Sequence, residues 1–296
     1  MSAAGEKPFR FGVNMYVPVS RVDWVEKCRR AETAGFDVIG VADHLGMPPT
    51  FPALVLAAEA TERVRLTTFV LNTAFYNPVL LAREAAGTDQ FTDGRLELGL
   101  GAGYVKAEFE TAGIPWEGAK SRVDHLENTV RELKRLFADP EHQPRPAQKP
   151  GPPLMLAGRG DRLLTLAAEH ADIIGFTGAA PGKDGQQATM ADAEGILERV
   201  EFVRGLLGAR VSEVELNILV HQLVVTDDRQ AALAEIQAKM PYLTVEQVGE
   251  LPVALVGTHQ EIADQLVAHR KRFGFSYFIV MEDRLDDFAP VIDLLR

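Results

Sequence analysis

Val38-Ile39-Gly40-Val41-Ala42-Asp43-His44 decides how this chain is read. Five apolar or small residues run without a polar break and then stop at an acid and an imidazole. An unbroken apolar run of this length reads as a buried parallel strand, covered on both faces. A titratable pair at the C-terminal end of such a strand lies where α/β folds keep their chemistry. The device recurs along the chain. Leu66 to Leu71 is apolar apart from two threonines and ends at Asn72-Thr73, and Leu96 to Gly101 ends at Ala102-Gly103-Tyr104. Several strand ends with polar or aromatic tips at one rim imply a shared pocket.

Outward from these stretches, strand and helix patterns alternate from end to end. The strands are expected at Phe9–Tyr16, Asp37–His44, Arg65–Asn72, Arg95–Gly101, Pro153–Ala157, Asp172–Phe176, Val214–Val225 and Tyr277–Met281. Between them, Ser20 with Asp23 marks a helix start, and Asn77-Pro78 joins an N-cap to a proline at the first helical position. Thr258-His259-Gln260-Glu261 is a capping box. Eight strand–helix units with right-handed crossovers favour a (β/α)8 barrel over an open doubly wound sheet. Residues 139–153 are proline-rich and are expected to be a surface connection within one domain spanning residues 1–296, because the same alternation resumes after them. A glycine-rich loop at residues 177–188, containing Lys183, is read either as a lid or as a plain surface loop.

Composition narrows the function. The chain has 296 residues, 46% of them hydrophobic, which is enough for a large core. Its net charge of −11 argues against coating nucleic acid, though a local basic site for an anionic ligand is compatible with it. No apolar run reaches the length of a membrane span. Residues 1–10 are polar, so no secretory signal is expected. The one cysteine, Cys28, excludes an internal disulfide and suits a reducing cytoplasm, where the protein is expected to reside. No acid or histidine cluster has metal-ligand spacing, so no metal is expected.

Ala42-Asp43-His44, Val70-Leu71-Asn72-Thr73 with Tyr76-Asn77-Pro78, the run from Gly94 through Gly101-Ala102-Gly103-Tyr104 followed by Glu108, and Val256-Gly257-Thr258 occur in order over nearly the whole chain. Together they resemble the bacterial luciferase-like superfamily, most closely the branch that uses the deazaflavin coenzyme F420. That resemblance implies the (β/α)8 barrel independently of the strand count. It also implies a deazaflavin or flavin (FMN as the alternative) lying across the C-terminal rim, its ring against the early strand ends and its phosphate near later turns. His44 matches the histidine beside the reacting carbon. A non-proline cis peptide is implied at Phe69-Val70 or Val70-Leu71, which puts Val70 against the ring. In the sugar-phosphate dehydrogenases of the family an acid follows the Gly-x-Gly of the fourth strand. Here Tyr104 stands in its place, so that reaction is not implied and the general acid is left open. Relatives are commonly dimers, so a homodimer is implied.

Each residue also has a plainer reading. His44 carries an imidazole, a group suited to proton transfer, or it caps a strand end. Neighbours on a strand face opposite ways, so Asp43 holds either the loop or a polar group of the cofactor. Asn72 and Thr73 donate to the cofactor or satisfy the turn. Gly101 and Gly103 let a ring approach the backbone, or they serve the turn. Gly158-Arg159-Gly160, at the start of a helix and followed by Asp161-Arg162, cradles a phosphate or is an ordinary turn. Tyr104 touches substrate or decorates the rim. His221 lies within the expected seventh strand and reads as a core histidine. His125, His170, His259 and His269 fall on helices and read as surface or packing groups. The leading expectation is an F420-dependent oxidoreductase moving a hydride to or from a small organic molecule. The alternatives are an FMN-dependent monooxygenase fed by a partner reductase, and a flavin-binding protein without turnover.

Overall fold

The computed structural model describes residues 7–180 and 189–296. Eight parallel strands close on themselves. They are β1 (Arg10–Met15), β2 (Val38–Val41), β3 (Arg65–Thr68, resuming at Leu71–Asn72), β4 (Leu96–Gly101), β5 (Leu154–Ala157), β6 (Ile173–Phe176), β7 (Glu215–Val220) and β8 (Tyr277–Met281). Each pairs with its neighbour in order, β3 reaches β4 through Leu66–Leu96, and β8 returns to β1 through Arg10–Tyr277. The barrel therefore takes four strands from each side of the proline-rich segment. Within that segment Gln148 is tied down by Asp89, which accepts both its backbone and its side-chain N–H.

The helices form the outer ring: α1 (Arg21–Thr33), α2 (Thr50–Ala60), α3 (Pro78–Phe91), α4 (Lys106–Ala112), α5 (Ala119–Ala138), α6 (Asp161–His170), α7 (Ala193–Leu207), α8 (Arg229–Lys239), α9 (Val245–Gly249), α10 (His259–Phe273) and α11 (Leu285–Leu294). Their starts obey local chemistry. Ser20 accepts from the Asp23 N–H, Asn77 accepts from Val79 and Leu80, and the Thr258–Glu261 capping box is complete. Two hydrophobic layers result. Val38, Met155, Ile173, Tyr277 and Ile279 fill the barrel together with Phe69, Val70 and Leu219, so the lumen is a packed core rather than a pore. A second, larger layer lies between strands and helices.

Charge closes the N-terminal end of the barrel. Arg10 bridges Glu97 and Glu215 at 2.5 Å each, and Arg65 reaches the same Glu97 at 2.5 Å. Burial pushes the Glu215 carboxyl up while Arg10 pulls it back.

Two expectations need correction. The apolar stretch Val214–Val225 is two strands, not one. The chain leaves the barrel at His221, and Gln222–Val225 pairs in parallel with Ala254–Gly257 outside it. His221 is consequently exposed at a strand end, donating its Nε2–H to the Thr177 carbonyl at 3.1 Å, rather than enclosed in the core. The second correction is α4, a short helix that the sequence reading passed over. Residues 181–188, including Lys183 and most of the suggested lid, lie outside the described residues; the flanking pairs Ala179–Ala180 and Thr189–Met190 run antiparallel.

Candidate active site

β2 ends at Val41, and the next turn carries Asp43 and His44 at the C-terminal rim. Their side chains part company, as strand alternation requires. Asp43 turns back onto the scaffold. Its Oδ2 accepts the Asn72 N–H at 2.9 Å and its Oδ1 faces the Tyr76 hydroxyl at 3.4 Å. Burial raises the Asp43 carboxyl above the ordinary carboxylate range, and these two donors offset part of that rise. Asp43 thus ties the β2 rim to the β3 rim.

His44 turns toward the mouth, with about a quarter of its side chain exposed. Its Nδ1 lies 2.8 Å from Oε1 of Glu108. A carboxylate only accepts, so Nδ1 carries the proton, and in the neutral imidazole Nε2 then presents a lone pair. The Tyr104 hydroxyl sits 3.4 Å from that Nε2, its ring edge-on to the imidazole at 5.6 Å between centroids. Tyr104 is 76% exposed, so it borders the opening rather than sealing it. The sequence placed Glu108 in the family pattern without giving it a partner. No local signal paired it with His44, because the helix that carries it has little periodicity.

The β3 rim is built by an interruption. The strand stops at Thr68, the Phe69–Val70 peptide is cis, and pairing resumes at Leu71. Val70 then packs toward β4, where a Cβ on Gly101 would come within 3.0 Å of its Cγ2. Asn72 accepts from the Ala74 N–H at 3.3 Å, and Thr73 is buried, donating to the Gly101 carbonyl at 2.9 Å. Gly103 has φ of 74° and leaves room for the Asn72 amide, into which a Cβ would collide. In this structure the space at both glycines is filled by the chain itself, and Asn72 and Thr73 spend part of their capacity on the turn.

A second tier sits on α5. His125 Nε2 lies 2.9 Å from the Thr73 carbonyl and 3.2 Å from that of Tyr76. Arg122 donates to the Gly103 carbonyl at 3.2 Å and lies 3.9 Å over the Trp116 ring. The two residues are one helical step apart and face the same way, so a single helix holds both the β3 and β4 turns.

After β5, Gly158 lies against Leu163, and Gly160 is the N-cap of α6. Arg159 carries a buried Nη1 without a partner among the described residues. It lines a shallow, open cleft with Gly158, Thr177, Gly178 and Arg199. Arg162, the other cation of this motif, turns outward to Asp124 and Glu127. His44, Asn72, Gly103 and Gly158 therefore stand on four consecutive strand ends of one rim, though the cleft at Gly158 reaches neither His44 nor Asn72. Among the described residues no group of three or more His, Cys, Asp or Glu side chains is placed to hold a metal ion, and no helix is long and apolar enough to cross a membrane.

Known proteins sharpen this picture. The oxygenase component of a flavin-dependent trigonelline monooxygenase from Acinetobacter baylyi is 26% identical over 230 residues, 72% of this chain and 61% of that protein. An F420-dependent glucose-6-phosphate dehydrogenase from Amycolatopsis mediterranei is 34% identical over 124 residues, 39% of this chain and 37% of that protein. The chain thus spans less than two thirds of either relative. A solved F420-dependent secondary alcohol dehydrogenase, in complex with an F420-acetone adduct, shares the fold with a TM-score of 0.76 at 18% identity, over 98% of this chain and all of that one. The long-chain alkane monooxygenase LadA gives 0.75 at 14% identity, over 98% of this chain and 91% of that one. The model of the luciferase-like monooxygenase family matches residues 8–252, and the chain belongs to that family.

Proposed function

We propose that this protein is an F420-dependent oxidoreductase that moves a hydride between the deazaflavin and a small organic substrate. The observation that carries the reading is the His44–Glu108 pair at the rim, 2.8 Å apart with Nε2 left toward the mouth. Relatives named above use either F420 or a flavin.

The residues present suit such a cofactor. Arg159 offers a buried guanidinium nitrogen without a partner among the described residues, in a cleft bordered by glycines, which fits a phosphate. Asp43, Val70, Asn72, Thr73, Gly101, Gly103 and Tyr104 form the rim over which a planar ring would lie, with Gly158 and Gly160 beside Arg159. When bound, the deazaflavin supplies two-electron hydride chemistry. The chain supplies position and proton handling. An alcohol that gives up a hydride must also release its hydroxyl proton, and His44 Nε2, held as an acceptor by Glu108, is placed to take it. In the reverse direction the same nitrogen returns the proton. Glu108 fixes the tautomer and steadies the imidazolium that forms. Tyr104 lies against Nε2 and lends a hydroxyl to the substrate oxygen. Asp43, His125 and Arg122 keep the rim turns in place. A homodimer belongs to the same proposal.

One observation favours a second reading. The longer of the two curated alignments above is to a flavin-dependent oxygenase component. An FMN-dependent monooxygenase would draw reduced flavin from a partner reductase. A side-by-side fluorescence titration with F420 and FMN separates the two. F420 is expected to bind with a Kd in the micromolar range or below, and FMN binding without measurable F420 binding overturns the proposal.

A further inference from the structure

We propose, resting on the hydride-transfer reading above, that His221 is a second substrate-binding imidazole of the mouth, and that the substrate is a small aliphatic alcohol with a second hydroxyl rather than a simple alkanol. Alternation along β7 sets the direction of this side chain. Leu216, Ile218 and Val220 pack outward into the layer beneath the helices. Asn217 and Leu219 face the lumen, where Asn217 donates to the Tyr277 carbonyl at 3.1 Å and Leu219 packs on the barrel core. His221 is the next residue of that inward series, one step above Leu219 at the C-terminal mouth. β2 behaves likewise. Ile39 and Val41 pack outward, Val38 lies in the lumen, and the inward series leads on to His44.

Register brings the two histidines to one height. Val220 pairs with Val280, Met281 with Asn14, and Asn14 with Gly40. A closed eight-stranded barrel of this kind staggers by about one residue per strand. Three strands on from His221, the same level is therefore reached about three residues beyond Gly40, next to His44. The wall between them carries Met281 and Tyr16, both half-buried. Glu282 accepts the Tyr16 N–H at 3.0 Å and fixes it at the end of β1.

Hydrogen bonding then specifies the ligand class. His221 spends its Nε2–H on the Thr177 carbonyl, so in the neutral imidazole Nδ1 is an acceptor. The ring reaches solvent, yet the protein crowded around it lowers its pKa below 6.5, and the Thr177 carbonyl offsets part of that fall. A side chain both wetted and crowded lies in a recess, and at neutral pH it is uncharged there. His44 Nε2 is an acceptor as well, because Glu108 holds the other nitrogen. Two acceptors on one mouth call for two donors. The reacting hydroxyl serves His44 and a second hydroxyl serves His221. The thioether of Met281 and the ring of Tyr16 suit an aliphatic middle.

Imidazole ¹H–¹⁵N spectra of the full chain test this, recorded with and without F420, with 1,4-butanediol as the probe and 1-butanol as its one-hydroxyl counterpart. The diol is expected to shift His221 Nδ1 and His44 Nε2 saturably, and 1-butanol to shift His44 alone. His221→Phe is expected to raise the diol Kd about 3- to 10-fold, the worth of one neutral hydrogen bond, and to leave the Kd values of 1-butanol and F420 within twofold. No diol-dependent change at His221, or an equal response there to both alcohols, overturns the proposal. So does a loss of F420 affinity in His221→Phe, which would put the imidazole on the cofactor. The spectra of the parent chain decide the matter should His221→Phe disturb folding. Failure of the parent to bind F420 is seen separately by fluorescence and overturns the hydride-transfer reading, whereas failure at His221 leaves that reading intact.

Discussion

His44 Nδ1 and the Glu108 carboxylate stand 2.8 Å apart across 64 residues of chain, one from the β2 rim and one from the first turn of α4. Because the carboxylate can only accept, this contact selects one imidazole tautomer. Glu108→Gln removes the charge while keeping the shape. In ¹H–¹⁵N correlation spectra of the imidazole, His44 is expected to lose its single-tautomer signature, and turnover of any accepted substrate is expected to fall about 10- to 100-fold. Unchanged spectra and unchanged turnover would show that Glu108 does not orient His44.

Tyr104 makes a longer contact, 3.4 Å from His44 Nε2, and its ring is largely in solvent. Such a hydrogen bond is weak. Tyr104→Phe is therefore expected to cost less than about fivefold in kcat. A loss of about 100-fold or more would make the phenol the proton donor and shift His44 to a supporting role.

The barrel was legible because buried parallel strands are apolar without interruption, and the 38–44 and 96–101 stretches show this directly. Val214–Val225 misled for the same reason. Both halves pack against apolar neighbours, so nothing in the residue order marks the departure from the barrel at His221. Helix α4 escaped notice because seven residues with one buried side chain, Phe109, carry little periodicity. In the site, the end-of-strand residues could be read locally. The Glu108–His44 pair and the grip of His125 and Arg122 on the rim could not, since they join residues that only closure of the barrel brings together. The outward turn of Arg162 was equally hidden, because it depends on acids one helix away.

Gly103 combines a φ of 74° with close contact to the Asn72 amide. Gly103→Ala must bear the left-handed backbone, about 1 kcal/mol or more, and displace Asn72 as well. A total loss of about 2–4 kcal/mol is expected, seen as a Tm lower by roughly 3–6 °C. Gly160→Ala has open space at the Cβ position and is the control. Equal Tm values for the two variants would refute the steric account.

Arg159 and Arg162 are three residues apart and differ in environment. Arg159 has a buried Nη1 without a partner among the described residues, while Arg162 is engaged by Asp124 and Glu127. A charge-assisted hydrogen bond to phosphate contributes about 1.5–3 kcal/mol. Arg159→Gln is thus expected to weaken F420 binding about 10- to 150-fold, with little effect on the deazaflavin core that lacks the phosphorylated tail. Arg162→Gln is expected to leave both within twofold. Equal losses for the two ligands in Arg159→Gln would remove the phosphate from this cleft.

His269 tests the pH behaviour of the fold away from the site. It is 6% exposed on α10, beside Phe273, and its Nε2 has no partner among the described residues. Burial lowers its pKa from 6.5 to about 4, since the charged imidazolium has lost its water. Between those two values the unfolded chain binds the proton and the folded chain does not. Stability therefore falls as pH drops from 6.5 toward 4, by about 3 kcal/mol from this residue. His269→Leu removes that linkage. Urea unfolding at pH 7 and pH 4 is expected to show the variant losing about 3 kcal/mol less than the parent over that interval, because the other titrating groups cancel in the comparison. If parent and variant lose the same stability, His269 does not govern the acid limb.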